Sequence, residues 1–473
     1  MKNIRRLAAS GAAALVLGGC ASVNFDQALV EANQTTHSFS QGKLELSRSQ
    51  AQRESRQRLT EQLLDQPLSM DDAVHLALAN SPAVQSLLAQ SWADLAAATQ
   101  AGQIGNPVFT FERTHFKDEF ELARLLSIGL LDLLTLPQRQ AISRNQVSAA
   151  RVQLSAAVVG QVGQVRQAWV RAVAARQMLE YAGQVTRTAQ ASAELAKRMQ
   201  QVGNFTKLQR AREHVFYADA AAQLASAQHA ATAAREELIR QLGLDDTQSP
   251  LLKLPERLPD LPKQPRAPAE VSTAATQQRL DVQLARLQLD GAGKSQRLSL
   301  LSSLVDVELG VRHDTVFDTA TGDRANRKGY ELAVRLPVFD WGSAQRASMN
   351  AQSLAAANRY DSVVRGAASQ LREDYSAYRT AYDLARHYRD EIIPLRKTIA
   401  EENVLRYNGM LIGVFELLAD NREQIAAVIA AINAQQQFWL ADAALASSIV
   451  GKPMAMGRTP MSADSSSPQG QGH

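Results

Sequence analysis

The chain has 473 residues, of which 45% are hydrophobic and 21% charged, enough apolar material for two or three ordinary domains and too much for a disordered chain. Its 51 basic and 47 acidic side chains leave a net charge of only +4, so nucleic acid is not an expected partner. A single cysteine excludes an internal disulfide and a cysteine-based zinc site, the eight histidines form no zinc-ligand pair, and there is no phosphate loop or nucleophile elbow; neither enzyme chemistry nor a metal or cofactor is expected.

At the start, Lys2, Arg5 and Arg6 precede the apolar run Leu7 to Leu17, and Leu17-Gly18-Gly19-Cys20 follows. That is the layout of an export signal over residues 1–19. Its ending resembles the lipobox of bacterial lipoproteins, which implies that Cys20 becomes the lipidated mature N-terminus. Ala21 rather than Asp in the next position resembles the sorting signal for the outer membrane. Residues 20–66 are expected to be an extended lipidated segment. No run of eighteen consecutive apolar residues occurs, so any membrane crossing would be made by strands.

Beyond this the chain repeats itself, residues 67–249 and 269–452 following the same order around a linker at 250–268 that holds six of the fifteen prolines. In the first half a helix is expected after Ser69, with Val74, Leu78 and Val84 at helical intervals; "AEVSTAATQQRLDVQLARLQL" answers it in the second. Strand candidates follow at 106–116 and 121–133, matched by 303–313 and 329–337. In the last of these Tyr330, Leu332, Val334 and Leu336 alternate with Glu331, Ala333 and Arg335; in the third, Val305, Val307, Leu309 and Val311 share one face while Asp306, Glu308 and Arg312 share the other.

Pro137 and Pro337, 200 residues apart, stand at the openings of two very long helical runs. Leu154, Val158, Val165, Trp169 and Val173 form a coiled-coil seam in the first, Leu371, Tyr375, Tyr378 and Tyr382 one in the second. Continuous helix from Gln138 to Gln200 would be ~95 Å long, and Pro394 should kink or offset the second run. Turns at 202–206 and 408–412 follow, with Gly203 and Gly409 as the breakers, then return helices over about 207–242 and 413–450. The polar tail at 453–473 is expected to be disordered.

Strands of roughly nine to eleven residues are long enough to cross a bilayer when tilted. Four strands leave two open edges, which hydrocarbon does not tolerate. Two chains would give an eight-stranded barrel filled by its own side chains, whereas three give twelve strands around a pore. The expected fold is therefore mainly α with a small β part: a long α-helical coiled-coil barrel joined to a 12-stranded transmembrane β-barrel completed by a homotrimer, four strands per chain.

The order helix, strand pair, long helix, glycine turn, helix, occurring twice over residues 67–452, resembles the TolC-like outer-membrane efflux family, as do "ALANSPAV", "RLDV" at 279–282 and "LPVFDWG" at 336–342. Leu280 departs from the pattern, since the family often carries proline there. The resemblance implies the outer-membrane channel of a tripartite efflux pump, lipid-anchored and extending into the periplasm. Such a channel is a passive exit duct for small molecules or metal cations, working with a periplasmic adaptor and an inner-membrane pump of the resistance-nodulation-division type. It implies that the adaptor meets the hairpin tips Val202, Gly203, Asn204, Phe205 and Thr206, with Asn408, Gly409, Met410 and Leu411. The apolar groups at these turns would either invite that partner or staple their own hairpin. It further implies an acidic constriction at Glu416 and Asp420, two positions that also suit an ordinary solvated helix face. The alternative to a channel is a lipid-anchored periplasmic coiled-coil scaffold whose period-two segments are surface hairpins.

Overall fold

The structure, a computed structural model, describes residues 24–267, 279–302, 306–335, 339 and 341–453. Cys20, the signal segment, Val305, Pro337, Pro268, the stretch 269–278 and the tail beyond 453 lie outside the described residues. Two helices, α1 (Phe25–Ser40) and α2 (Gln50–Leu64), occupy the segment expected to be extended. The reason is local: Ser49 accepts from the Gln52 amide while the Gln52 side chain returns to the Ser49 amide, a capping box that starts α2. In α1 a narrow stripe of Phe25, Ala28, Leu29 and Ala32 is buried, with Phe39 buried near its end.

The first repeat runs α3 (Met70–Asn80), α4 (Pro82–Gln100), β1 (Val108–Phe116), β2 (Glu119–Gly129), the short α5 (Leu130–Leu134), α6 (Leu136–Gln201) and α7 (Lys207–Leu242). Ser69 caps α3 by accepting from the Asp72 amide. The strand expected to continue to 133 ends at Gly129, because "LLDLL" forms one helical turn instead of extending the ladder. The second repeat runs α8 (Leu280–Ser302), β3 (Asp306–Asp318), β4 (Arg324–Arg335), α9 (Ser343–His387), a π-helical turn (Tyr388–Ile392), α10 (Ile393–Asn408) and α11 (Val414–Val450). β3 extends five residues beyond the 313 boundary, and β4 begins at 324, earlier than the alternation suggested.

Helix α6 has 66 residues, about 99 Å at the α-helical rise. Segments α9, the π turn and α10 have 45, 5 and 16 residues, again 66 in all. From Pro137 to Gly203 is 66 residues and from Pro337 to Gly409 is 72, so the six extra residues of the second repeat lie ahead of its long helix, around Phe339 and Trp341, and not within it. Pro394 is the second residue of α10 and directly follows the π turn, whose widened backbone accommodates the missing N–H and the ring within a helical run that stays right-handed at both junctions. The four strands form one antiparallel sheet in the order β1-β2-β3-β4, so the β2–β3 pairing joins the two repeats.

The seam residues are core residues. Leu154, Val158, Val165, Trp169 and Val173 are buried with α3, α4 and the end of α7, and the Trp169 indole donates to the Leu68 carbonyl at 2.9 Å. Leu371, Tyr378 and Tyr382 pack on Phe438 and Leu445 of α11, with Tyr375 partly buried beside them. The proline-rich linker is extended yet far from loose: Leu252, Leu254, Leu258 and Leu261 are buried along it. Prolines contribute carbonyls without N–H groups, and side chains of both repeats take up carbonyls along the linker. Trp439 donates to Pro259 at 3.0 Å, Tyr382 to Pro262 at 3.1 Å, and Arg176 to Leu254. Tyr378 in turn accepts from the Arg266 amide at 3.0 Å, and burial raises its phenol pKa. The linker thus straps the halves together.

Two sequence motifs acquire a common physical meaning. Each return helix ends in a left-handed glycine, Gly243 (φ +70°) and Gly451 (φ +98°), that butts against the start of a helix entering the sheet. A Cβ on Gly243 would lie 2.4 Å from Pro82 Cδ and 2.6 Å from Ser81 Cα, and the Asn80 amide donates to the Gly243 carbonyl at 2.9 Å; this is the "ANSP" motif. A Cβ on Gly451 would lie 2.6 Å from the Leu280 nitrogen and 2.8 Å from Arg279 Cβ; this is "RLD". Arg279, 1% exposed, binds Asp281 through two nitrogens at 3.1 and 2.8 Å and donates to the Ala367 carbonyl at 3.3 Å. Leu280 opens α8 directly against Gly451.

Candidate functional site

Residues directly opposite one another in an antiparallel ladder project from the same face, so the register sorts the whole sheet into two surfaces. On one, Phe109, Leu126, Val311 and Tyr330 form a row across all four strands, with Ile128, Leu309 and Leu332 below it. Although apolar, these are open to the surroundings: Tyr330 is 86% exposed and Phe109 63%. On the other surface Glu112, Ala123, Asp314 and Arg327 share a row, flanked by Glu121, Glu331 and Glu308. Arg312 lies among these carboxylates, 2.9 Å from Asp314 and 3.8 Å from Glu331. Exposed Phe339 and Trp341 follow β4 at the end of the sheet nearest the helices. No helix of the described residues is long and apolar enough to cross a membrane, and no cluster of metal-ligating side chains occurs among them.

At the far end of the long helices the two turns lie beside one another. Val202, Met410 and Leu411 are 70%, 93% and 73% exposed. Phe205 is not: it is 6% exposed, its ring 4.4 Å from that of Phe415, so of the apolar tip residues this one staples the two hairpins together. Gly203 adopts the left-handed conformation (φ +81°), Asn204 is exposed, and Thr206 starts α7 through a capping box with Gln209. In the second turn the left-handed residue is Met410 (φ +59°) and not Gly409, which caps α10 at φ −78° after the exposed Asn408. The helix does stop at Gly409, as the sequence suggested, but the left-handed strain sits on an exposed methionine.

Glu416 is exposed in the first turn of α11. Asp420, one turn on, is half-buried and faces Arg396 of α10 at 3.9 Å, while Arg396 also holds Glu423 at 3.0 Å. Asp420 is therefore matched by a cation within its own chain, which removes much of the like-charge repulsion expected of it. Sequence reasoning missed a stronger link nearby. Glu213 of α7, 3% exposed, accepts from Arg422 of α11 at 2.6 Å, and the guanidinium lies 4.6 Å from the Phe216 ring centre. Its partners are 209 positions apart, on the return helices of the two repeats.

No family model matches the chain, and no curated protein matches it by sequence. Solved structures do. A membrane protein from Pseudomonas aeruginosa superimposes with a TM-score of 0.68 at 18% identity, over 84% of this chain and 90% of that one. CusC, described in terms of folding and transmembrane channel formation, gives 0.65 at 15% identity over 83% and 92%. The outer membrane protein VceC of Vibrio cholerae gives 0.65 at 15% identity over 84% and 96%. Helix pairs of this length, joined to a four-stranded meander shared between two repeats, give the chain the fold of the TolC-like outer-membrane channels.

Proposed function

We propose that the chain is the outer-membrane channel of a tripartite efflux pump, a passive exit duct for small molecules or metal cations. The observation that carries this reading is the division of the sheet into an exposed apolar surface and an acidic one. In hydrocarbon the first would face lipid and the second a water-filled lumen. β1 and β4 each keep an unpaired edge, which three copies would close into twelve strands wide enough for a passage. Phe339 and Trp341 suit the aromatic belt at the inner interface. The long helices would continue the lumen through the periplasm, Cys20 would carry a lipid anchor, and the tips would meet a periplasmic adaptor linked to a resistance-nodulation-division pump. Glu416 would be the acidic group left to narrow the tip.

Full-length protein bearing Cys20→Ser is expected to remain with the outer membrane, to migrate as a trimer in detergent and to conduct ions in planar bilayers with cation preference. A monomer that leaves the membrane with its lipid and shows no conductance would instead be the pore-less scaffold.

Docking and folding at the tip are separable through Met410. Glycine there relieves a left-handed side chain, so Met410→Gly should leave thermal stability unchanged or raise it by about 1 kcal/mol. If the exposed tip receives an adaptor, the same variant should lower export from cells at least severalfold. Unchanged export with unchanged stability would remove Met410 from the docking surface.

A further inference from the structure

The apolar surface of the sheet does not stay apolar to its end. Toward the β1–β2 and β3–β4 turns, one two-residue step beyond the row of Tyr330, the same face carries Arg124, His313 and Lys328, and beyond these Arg113 and Arg324. No carboxylate of the described strands projects from this face; Glu112, Glu121, Glu308, Asp314 and Glu331 are all on the opposite one. A surface needing only water solubility mixes both signs. Here the charged side chains are all basic, set among apolar and neutral ones.

The cations are also held in place. Arg113 lies 5.1 Å from the Phe120 ring centre and Arg324 lies 5.4 Å from that of Phe317, while the two rings stack at 4.7 Å, a ladder across all four strands. Arg124 donates to Thr315 Oγ1 at 3.4 Å. None of Arg113, Arg124, Arg324 and Lys328 pairs with a carboxylate among the described residues, whereas Arg312, on the acidic face, is committed to Asp314. Helices α4, α6 and α8 all adjoin the other end of the sheet, so the basic rows lie at the end away from the helical tube.

We propose that Arg113, Arg124, Arg324 and Lys328 bind the phosphate groups of anionic lipid in the outward-facing leaflet. The inference rests on the outer-membrane reading above. It goes beyond that reading by assigning the lipid chemistry met by each chain's outer wall. The apolar rows would occupy hydrocarbon, and the next step along the strands, roughly 7 Å higher, would reach the headgroup level. Guanidinium groups there offer paired donors to phosphate oxygens, and a cluster of basic groups at a headgroup surface strengthens the attraction with each added charge.

The test uses the full-length trimer in mixed micelles, titrated with a fluorescent diphosphorylated glycolipid and with the dephosphorylated lipid of identical acyl chains. The phosphorylated lipid should bind at least tenfold more tightly, roughly, with a preference that falls as salt rises. Combining R113Q, R124Q, R324Q and K328Q should abolish that preference, while R327Q, which removes a cation from the acidic face, should leave it intact. Equal affinity of the wild-type trimer for the two lipids, or equal damage by R327Q, overturns the proposal. Should the fourfold variant fail to fold, the lipid comparison and salt dependence of the wild type decide alone. A trimer that conducts but is indifferent to phosphate overturns only this inference; a chain that neither inserts nor conducts overturns the channel reading and this inference with it.

Discussion

Alanine at Gly451 or at Gly243 is expected to lower folding stability by roughly 3–5 kcal/mol, enough to disable a marginally stable protein. Two costs combine. A left-handed backbone is unfavourable for any residue with a Cβ, and at these sites that Cβ would also approach backbone or ring atoms at 2.4–2.6 Å, where no flexible side-chain end can move aside. Gly203 supplies the internal control: it has φ +81°, but nothing lies within 4 Å of the position a Cβ would take. Gly203→Ala should therefore cost only about 1 kcal/mol. Thermal or urea unfolding of the detergent-solubilised protein, followed by circular dichroism, measures all three. Equal losses at 203, 243 and 451 would mean that the close approach is not what demands glycine.

Arg422→Ala should be nearly as damaging, by about 3–5 kcal/mol, because it strands the Glu213 carboxylate in a site that is 3% exposed. One oxygen of that carboxylate already lacks a partner, so the Arg422 hydrogen bond is its main compensation. Glu213→Gln keeps the shape and removes the charge, and should cost markedly less. Replacing both, as Glu213→Leu with Arg422→Met, should recover most of the loss. The same unfolding measurement checks this, and a double variant no more stable than Arg422→Ala would show that the pair does not work as a unit. The pair ties α7 to α11 near the hairpin tips, so its loss should also speed amide exchange around Phe205 and Phe415.

Much of the architecture was legible because it repeats a simple period. Leucine, valine and tryptophan at spacings of four and seven marked the α6 seam, and tyrosines at four, three and four marked α9; strict alternation marked β3 and β4. The failures have identifiable physical sources. Residues 130–134 are leucine at every position but Asp132, which carries no clear period, and one helical turn and a strand end read alike there. Residues 20–66 looked extended because α2 is polar almost all round; the Ser49 and Gln52 capping box was the signal available. At the tips, sequence could place Phe205 and Met410 on turns but could not say which turns inward, because that depends on Phe415 of the other repeat. The pairing of Asp420 with Arg396 and of Glu213 with Arg422 is likewise a property of helices meeting in space.

The single π turn at 388–392 sets the aim of everything beyond it. Such a turn accommodates one residue more than regular α-helix, and each residue corresponds to about 100° of rotation about the axis. Upstream, Leu371, Tyr378, Tyr382 and Ala385 face the core, whereas α10 buries no residue at all. One residue's worth of rotation at the turn corresponds to a swing of Met410 and Leu411 by about a quarter of a revolution, some 24 Å away along the axis. The bearing of the second tip is thus fixed by a one-residue phase shift far from the tip itself.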